Sequence, residues 1–404
     1  MARKAASGTG TIRKKTVTRN GKAYSYWEAR YTEGVDPGTG KQIQRSISGK
    51  TQKEVAQKLK AATASMDAGT YTAPSKLTVG EWADIWARDY LGGVKPRTAE
   101  LYRGTIKTRI KPALGAVKLE VLNAHTIQGF YNALSAPNGD KPGLSPKTVK
   151  NINGILHKAL QQAVAVGYLR FNPADVCTLP RMERREIHPL DDAQVTAFLV
   201  AIKGHPMEDL FTLALFTGLR EGEVLGLTWE CIDFKAGRLT VGQQLQRSTT
   251  TKGAFTLPSP KNGKKRTIAP ANAVMAVLKR HRGQQSLWRI QAGEAWACDG
   301  GIEGNTANLV FTDEIGRHLS PRAVYRAFKA VAASIGIPAA RVHDLRHTYA
   351  VAAIRSGDDL KTVQGNLGHA TASFTLDVYG HFTEQMKAAS AARMDAFIKG
   401  VSGQ

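Results

Sequence analysis

Four short segments in the second half of the chain concentrate arginine, lysine, histidine and tyrosine. The first, residues 217–225, carries Arg220 at the junction where one apolar helix is predicted to end at Gly218 and another to begin. A guanidinium at a rigid helix terminus can give paired hydrogen bonds to phosphate oxygens. Glu223, one turn later, could orient that guanidinium or support the fold. The segment therefore indicates either a phosphate-binding arginine or a surface ion pair.

The second segment, residues 260–268, predicts a β-hairpin, because Asn262 and Gly263 form a typical pair for a tight turn. A lysine in this basic turn could donate a proton to a leaving oxygen. The simpler interpretation is a solvated, charged turn that contacts phosphate groups. We favour that interpretation for Lys264, Lys265 and Arg266.

The third segment, residues 342–350, places His343 and Arg346 three positions apart. In a helix this spacing puts both side chains on one face, where they could converge on a single anion. The alternative is a local ion pair between Asp344 and His347.

The fourth segment, residues 367–381, contains His369 and Tyr379. Taken alone, it is explained equally well by a buried histidine and a tyrosine in the core. Its chemistry depends on what the other three segments place beside it.

The charge of the chain favours nucleic acid as its partner. Lysine and arginine number 56 against 33 acidic residues, which gives a net charge of +23 over 404 residues. Such a surplus attracts polyanions, although a ribosome-associated protein, a membrane-surface binder or a basic enzyme would share it. A chain of 404 residues is longer than one hydrophobic core usually accommodates, so two or three domains are expected.

Cysteine usage and hydropathy predict a reducing, cytoplasmic setting. The three cysteines have no paired spacing that suggests a zinc site or a disulfide framework. No apolar run approaches 18 residues, and the first residues are polar and basic. We therefore expect neither export nor membrane association, and a location at the nucleoid once DNA is taken as the partner.

The pattern along the chain predicts several units. Residues 1–70 contain three strand-like segments and a helix that begins with a capping box at Thr51 and Glu54. Residues 76–176 follow as a helical domain after a linker rich in Gly, Thr, Pro and Ser, with helix starts predicted at a capping box of Thr78 and Glu81 and at Ser145-Pro146. Residues 177–187 form a second linker, and residues 188–404 contain helices around a β-rich stretch and end in an amphipathic helix.

Together, the four segments resemble the active-site motifs of the tyrosine recombinases, also called the phage integrase family. The matching motifs are Thr-Gly-Leu-Arg-x-Gly-Glu, His-Asp-Leu-Arg-His-Thr and Leu-Gly-His, with a tyrosine ten residues beyond that last histidine. The resemblance covers nearly the whole chain. The ordered catalytic set of the family is filled by Arg220, Lys261, His343, Arg346, His369 and Tyr379.

The resemblance implies a covalent mechanism. Tyr379 would attack a DNA phosphodiester with help from His343, while Lys261 would protonate the departing 5′ oxygen. The resulting 3′-phosphotyrosyl bond conserves the energy of the cleaved linkage, so exchange needs no ATP. The phosphate would be held by Arg220, Arg346 and His369, with Glu223 in support.

No cofactor or metal is expected. Fixed guanidinium groups can supply the positive charge that metal ions provide in other enzymes that cleave DNA. The sequence contains no acidic cluster suited to two magnesium ions and no Gly-x-x-x-x-Gly-Lys-Ser/Thr loop.

The resemblance also assigns the upstream units and a multidomain α+β fold. Residues 1–70 resemble an arm-type DNA-binding domain with a three-stranded sheet and a helix, and residues 76–176 resemble the helical core-type DNA-binding domain. Residues 188–404 would be a mainly α-helical catalytic domain with a small β-sheet. Candidate contacts of the arm-type domain to DNA are Arg13, Lys14, Lys15, Arg30 and Arg45.

The expected partners are core-type and arm-type attachment sites in double-stranded DNA and further copies of the chain in a tetramer, in which the C-terminal helix docks on a neighbour. An excision factor or a host DNA-bending protein would fit the same family. Two other functions stay open at this stage: a type IB topoisomerase, which shares the chemistry, and a DNA-binding regulator without activity.

Overall fold

The computed structural model divides into two compact units, Met1–Glu183 and Arg184–Gln404. Among the described residues no helix is both long enough and apolar enough to cross a membrane. The structure describes residues 11–19, 21–35, 38–67, 76–182, 188–259, 263, 265–302, 304–305, 308–368 and 383–402.

The first unit begins with the predicted sheet of three strands. Strands β1 (Thr11–Arg19), β2 (Lys22–Val35) and β3 (Gln42–Gly49) pair antiparallel in that order. Helix α1 (Gln52–Asp67) packs on one face of the sheet through Val55 and Leu59, which meet Ala29 and Tyr31 of β2. The alternation of apolar residues along β2 fixes which face is covered.

A helical group follows in the same unit, and its predicted starts are confirmed. Thr78 and Glu81 form the capping box of the first helix, and Ser145 caps the last one ahead of a proline. The buried Trp82 donates from Nε1 to the Ala159 carbonyl at 2.7 Å, which ties these two helices together. The elements are α2 (Val79–Asp89), α3 (Pro96–Thr105), a π-helical turn (Ile106–Ile110), α4 (Lys111–Leu114), a 3-10 turn (Leu119–Val121), α5 (Ala124–Ser135) and α6 (Pro146–Ala165).

The second unit is mainly helical, as the sequence predicted, with a small antiparallel sheet of order β4-β5-β8 and a separate pair β6-β7. Its core includes Phe198, Phe211 and Phe328, whose rings lie about 6 Å apart. The helices are α7 (Asp192–Ala201), α8 (Glu208–Thr217), α9 (Glu221–Leu225), α10 (Asn272–Ala292), α11 (Pro321–Ser334), α12 (Val342–Arg355), α13 (Leu360–Leu367) and α14 (Thr383–Ser402). The strands are β4 (Ile232–Asp233), β5 (Arg238–Val241), β6 (Gln246–Arg247), β7 (Phe255–Thr256) and β8 (Arg266–Ile268), and two 3-10 turns cover Trp229–Cys231 and Gly293–Ala295.

The hairpin predicted for residues 260–268 falls only in part on described residues, since residues 260–262 and 264 lie outside them. Strand β8 forms at Arg266–Ile268 and pairs antiparallel with β5. The second half of the predicted segment therefore belongs to the three-stranded sheet of this unit.

Two helix ends meet beside α12 in the second unit. Helix α12 packs against α8 and α13, and α13 also contacts β8. Helices α8 and α13 both end at a glycine with positive φ, Gly218 at +63° and Gly368 at +64°. A left-handed residue stops a helix and exposes its last carbonyl groups, so these two turns provide hydrogen-bond acceptors for neighbouring side chains.

Candidate active site

Three successive backbone carbonyls at the end of α13 accept hydrogen bonds from three arginines that belong to three other elements. The last carbonyls of a helix have no partner within the helix and carry a partial negative charge, which favours guanidinium groups. The bonds join Arg266 Nε to the Asn366 oxygen at 2.8 Å, Arg346 Nη2 to the Leu367 oxygen at 2.6 Å, and Arg220 Nη2 to the Gly368 oxygen at 3.3 Å.

Arg220 is held in place by Glu223. Arg220 is the N-cap residue of α9, and the Glu223 carboxylate accepts from its backbone N–H at 2.9 Å and from its Nη1 at 2.7 Å. Glu223 is almost completely buried, whereas the Arg220 side chain is 38% exposed. Of the two possibilities drawn from the sequence, this is not a surface ion pair. It is a guanidinium that a buried carboxylate orients, on a side chain that stays partly open to solvent.

Arg346 lies deeper. Its residue is 2% exposed, and its Nη1 donates to the Gly218 carbonyl at 2.7 Å. Since its Nη2 binds the end of α13, one side chain of α12 joins the last turns of two other helices. The spacing in sequence did not indicate this role in the packing.

The predicted DNA contact at Arg266 is not what the structure favours. The Arg266 side chain is only 12% exposed, and its Nη1 and Nη2 atoms donate to the two Glu223 oxygens at 2.9 and 2.7 Å. Its Nε binds the Asn366 carbonyl, so all three nitrogens of the guanidinium have partners within the protein. Arg266 faces inward because it lies two residues before the buried Ile268 on a strand. That alternation was the signal available in the sequence.

Glu223 therefore sits between two arginines. Burial alone would raise its pKa, but the hydrogen bonds and charge of Arg266, together with Arg220, lower it to about 2. The carboxylate is ionised at neutral pH. With three guanidinium groups and one carboxylate, the cluster has two positive charges in excess, which suits it to a phosphodiester.

His343 lies in the first turn of α12 on an exposed position. Its ring packs at 85° against the ring of His347, with 4.9 Å between the centroids. Loss of hydration and the nearby charge of Arg346 hold the pKa of His343 below its ordinary value. An uncharged imidazole can accept a proton at neutral pH. His343 and His347 also line a cavity of about 800 Å³ beside Arg341 and Asp344.

Part of the predicted site lies outside the described residues: Lys261, Lys264, His369 and Tyr379. Gly368, the residue before His369, belongs to the turn that receives Arg220. Lys265 is exposed next to Arg266. Among the described residues there is no group of three or more His, Cys, Asp and Glu side chains placed to hold a metal ion.

The candidate DNA contacts of the N-terminal sheet divide between its two faces. Side chains alternate along a strand, so Arg13, Lys15 and Arg30 lie on the face opposite α1. All three surround the carboxylate of Glu28, at 2.9, 3.6 and 3.8 Å, and remain 40% or more exposed. The other two candidates, Lys14 and Arg45, lie on the side that carries α1, where Arg45 binds Glu33.

Comparisons with known proteins give consistent matches. A model of the phage integrase family matches residues 189–386, and a model of the N-terminal SAM-like domain of phage integrases matches residues 78–135. A tyrosine recombinase XerC-like protein of Caldanaerobacter subterraneus subsp. tengcongensis is 30% identical in an alignment that covers 93% of this chain and 96% of the relative.

Solved structures share the fold. The integrase of the Tn1549 transposon, in complex with a circular intermediate DNA, gives a TM-score of 0.66 at 22% identity and covers 79% of this chain and 99% of that one. A lambda integrase tetramer bound to a Holliday junction gives 0.53 at 20% identity and covers 88% of this chain and 96% of that one.

Proposed function

The chain belongs to the phage integrase family, as its motifs predicted, and from this membership we propose that it recombines the DNA of a mobile element at specific sites. It is an enzyme, a tyrosine site-specific recombinase. One observation carries the finer proposal. Arg220 and Arg346, from separate helices, both bind the last turn of α13, and the buried Glu223 holds Arg220, whose side chain stays 38% exposed.

In the proposed reaction, Tyr379 attacks the scissile phosphate and the DNA 5′ oxygen leaves. The phosphorus–oxygen bond to the 5′ oxygen breaks as the bond to the tyrosine oxygen forms. His343 accepts the tyrosine proton, which fits its lowered pKa, and Lys261 gives a proton to the leaving oxygen. The 5′ hydroxyl of another duplex then reverses the attack, and two rounds of exchange pass through a Holliday junction.

The transition state is stabilised by fixed cations. Negative charge builds on the non-bridging oxygens during attack, and donors that need no reorganisation lower the barrier most. Arg220 and Arg346 have that rigidity, because each binds a backbone carbonyl of another element. His369, which follows Gly368 in the sequence, is the third proposed donor, and we propose that the reaction needs neither metal nor cofactor.

DNA is bound by three regions in this proposal. Residues 76–176 form the core-type domain, which the SAM-like match at 78–135 supports, and residues 188–404 form the catalytic domain after a linker at 177–187. Residues 1–70 form the arm-type domain. Of its five candidate contacts, we favour those on the open face of the sheet, Arg13, Lys15 and Arg30, since three cations share one carboxylate there.

The active assembly in this proposal is a tetramer on paired sites in the cytoplasm. Support comes from α14, in which four large apolar side chains are each more than half exposed. They are Met394, Phe397, Ile398 and Val401, spaced as one stripe of a helix. An exposed apolar stripe is suited to a neighbouring copy.

The test is formation of a covalent adduct. Purified protein is mixed with a nicked DNA that carries its validated core site, in EDTA, and the mixture is run on a denaturing gel. We expect an adduct with the wild-type chain and none with Tyr379→Phe, which should still bind DNA. Exchange between two duplexes then distinguishes a recombinase from a topoisomerase.

Two matched tyrosine variants complete the experiment. Tyr349 lies half-buried beside the arginine cluster, and its hydroxyl accepts a hydrogen bond from Asn366 at 3.1 Å. Burial raises its pKa, which makes it a poor nucleophile, so Tyr349→Phe should keep the adduct. Tyr325→Phe, at an exposed position on α11, is the surface control. Binding without any adduct would favour a regulator without activity, and an adduct with Tyr379→Phe would disprove the nucleophile.

A further inference from the structure

Arg266 occupies the centre of the arginine cluster and not its edge. It donates to both Glu223 oxygens and to the Asn366 carbonyl, and so joins β8 to α9 and to the end of α13. Each Glu223 oxygen is shared: Oε1 accepts from Arg220 Nη1 and Arg266 Nη1, and Oε2 accepts from the Arg220 backbone N–H and Arg266 Nη2. Arg266 therefore limits how much of Glu223 is available to Arg220.

Close packing around Gly368 is independent evidence that the Arg266 side chain is fixed in this position. A side chain at Gly368 would place its Cβ only 3.1 Å from Arg266 Cδ and Nη1, and 3.2 Å from Cζ. The Arg266 side chain thus lies directly against the turn whose carbonyl binds Arg220. Glycine is required here both for its positive φ and for the space that Arg266 fills.

We propose that Arg266 is a positioning residue for the recombination reaction, an inference that rests on the function proposed above. Arg266 neutralises Glu223 and fixes the end of α13, so that Arg220 stays directed at the phosphate. Without Arg266, both Glu223 oxygens could bind the Arg220 guanidinium as a pair, which would draw it away from the substrate. The cluster would also lose one of its two excess positive charges.

The role differs from that of a DNA contact, since the three nitrogens of the guanidinium already bind groups of the protein. Arg266 acts through Arg220 and not on the substrate. The rate of strand cleavage and the affinity for DNA should therefore respond differently to the loss of Arg266. Loss of Arg266 should slow strand cleavage, while affinity for DNA and its dependence on salt should stay as in the wild type.

The experiment measures single-turnover cleavage of a nicked core site at saturating DNA. For Arg266→Met we expect a rate lower on the order of 100-fold, the cost of a misplaced catalytic group. Arg266→Lys keeps the charge but cannot bind both Glu223 oxygens and Asn366 together, so it should recover only part of the rate. Arg238→Met removes an exposed arginine from β5 of the same sheet and should cleave as the wild type does.

A neutral substrate separates positioning from a general loss of structure. In a methylphosphonate at the scissile position, a methyl group replaces the non-bridging oxygen whose charge Arg220 would stabilise. If Arg266 acts through Arg220, the defects of Arg266→Met and Arg220→Ala should both shrink on this substrate. A merely structural defect would slow the charged and the neutral substrate by the same factor, and that result would overturn the proposal.

Folding is controlled by a second variant. Arg266→Met leaves the buried Glu223 with fewer partners, which can destabilise the chain. Glu223→Gln with Arg266→Met removes both charges of that pair, and thermal melting should return toward that of the wild type while cleavage of the charged substrate stays slow. Recovery of cleavage together with melting would show that Arg266 only stabilises the fold.

Three further outcomes would overturn the inference about Arg266. A weaker affinity for DNA, with a salt slope reduced by about 1, would make Arg266 a phosphate contact and overturn the inference. Wild-type cleavage by Arg266→Met would overturn it while the proposed function stands. If the wild-type chain itself forms no adduct on a validated core site, the proposed function and the inference fall together.

Discussion

At the scale of single residues, the histidine pair of α12 makes the stability of the folded chain depend on pH. His347 is buried beside His343, and burial, followed by the charge of His343 and of nearby arginines, lowers its pKa to about 4. In the unfolded chain the same imidazole titrates near its ordinary value of 6.5. The folded state therefore binds fewer protons than the unfolded state between these two values, and stability must fall as the pH is lowered through that window.

The resulting prediction concerns His347→Gln, which removes the titrating group and keeps a polar side chain. The free energy of unfolding of the wild type should fall between pH 6.5 and pH 4 by about 3 kcal/mol more than that of the variant. Urea unfolding followed by circular dichroism at several pH values measures both curves. Parallel curves over this window would mean that His347 is not held uncharged in the folded chain. Above pH 6.5 the two curves should run parallel, since the effect of His347 is then fully present.

At the scale of elements, the sequence was informative where a local rule decides the outcome. The capping box at Thr78 and the proline start after Ser145 are confirmed, because caps depend on neighbouring residues alone. The pairing of β8 with β5 joins residues far apart in sequence, so no local pattern indicates it. The carbonyl acceptors of the three arginines are also far from them in sequence. They become neighbours only because α13 ends beside α9, α12 and β8.

The turn at Gly218 shows how one element end sets the geometry of the site. Gly218 stops α8 with a φ of +63° and offers its carbonyl to Arg346. A Cβ at this position would collide with the Tyr349 ring and lie 2.8 Å from Leu367 Cδ2. Since Tyr349 and Leu367 belong to α12 and α13, any side chain at Gly218 would push α8 away from these two helices.

We therefore predict that Gly218→Ala is strongly destabilising. The left-handed conformation costs about 1–2 kcal/mol for a residue with a Cβ, and overpacking adds about 1–3 kcal/mol. Gly204→Ala is the matched control, with a φ of +75° and, among the described residues, no heavy atom within 4 Å of the added Cβ. It should lose only the backbone contribution. Equal losses in urea unfolding for the two variants would show that the packing around Gly218 can relax.

At the scale of the whole molecule, net charge would act on DNA binding and the apolar stripe of α14 on assembly. The net charge of +23 favours binding of DNA by a single chain, whereas the apolar stripe of α14 has no bearing on phosphate contacts. Binding and assembly should therefore be separable by mutation. This separation distinguishes a recombinase that works as a tetramer from a protein whose C-terminal helix only packs on its own chain.

The last prediction uses Phe397→Asp, which places a charge in the middle of the stripe formed by Met394, Phe397, Ile398 and Val401. Burying that carboxylate against a neighbour would be costly, so complexes of four chains on paired sites should be lost while one chain still binds one core site. Native gels and light scattering on DNA with one or two sites measure the two steps. Lys399→Asp is the control, because Lys399 lies on the other side of the helix and the substitution changes the charge by even more. If Phe397→Asp, or deletion of residues 385–404, leaves tetramers and recombination unchanged, α14 does not dock on a neighbouring copy. If both Asp variants reduce assembly equally, net charge and not the apolar stripe controls it.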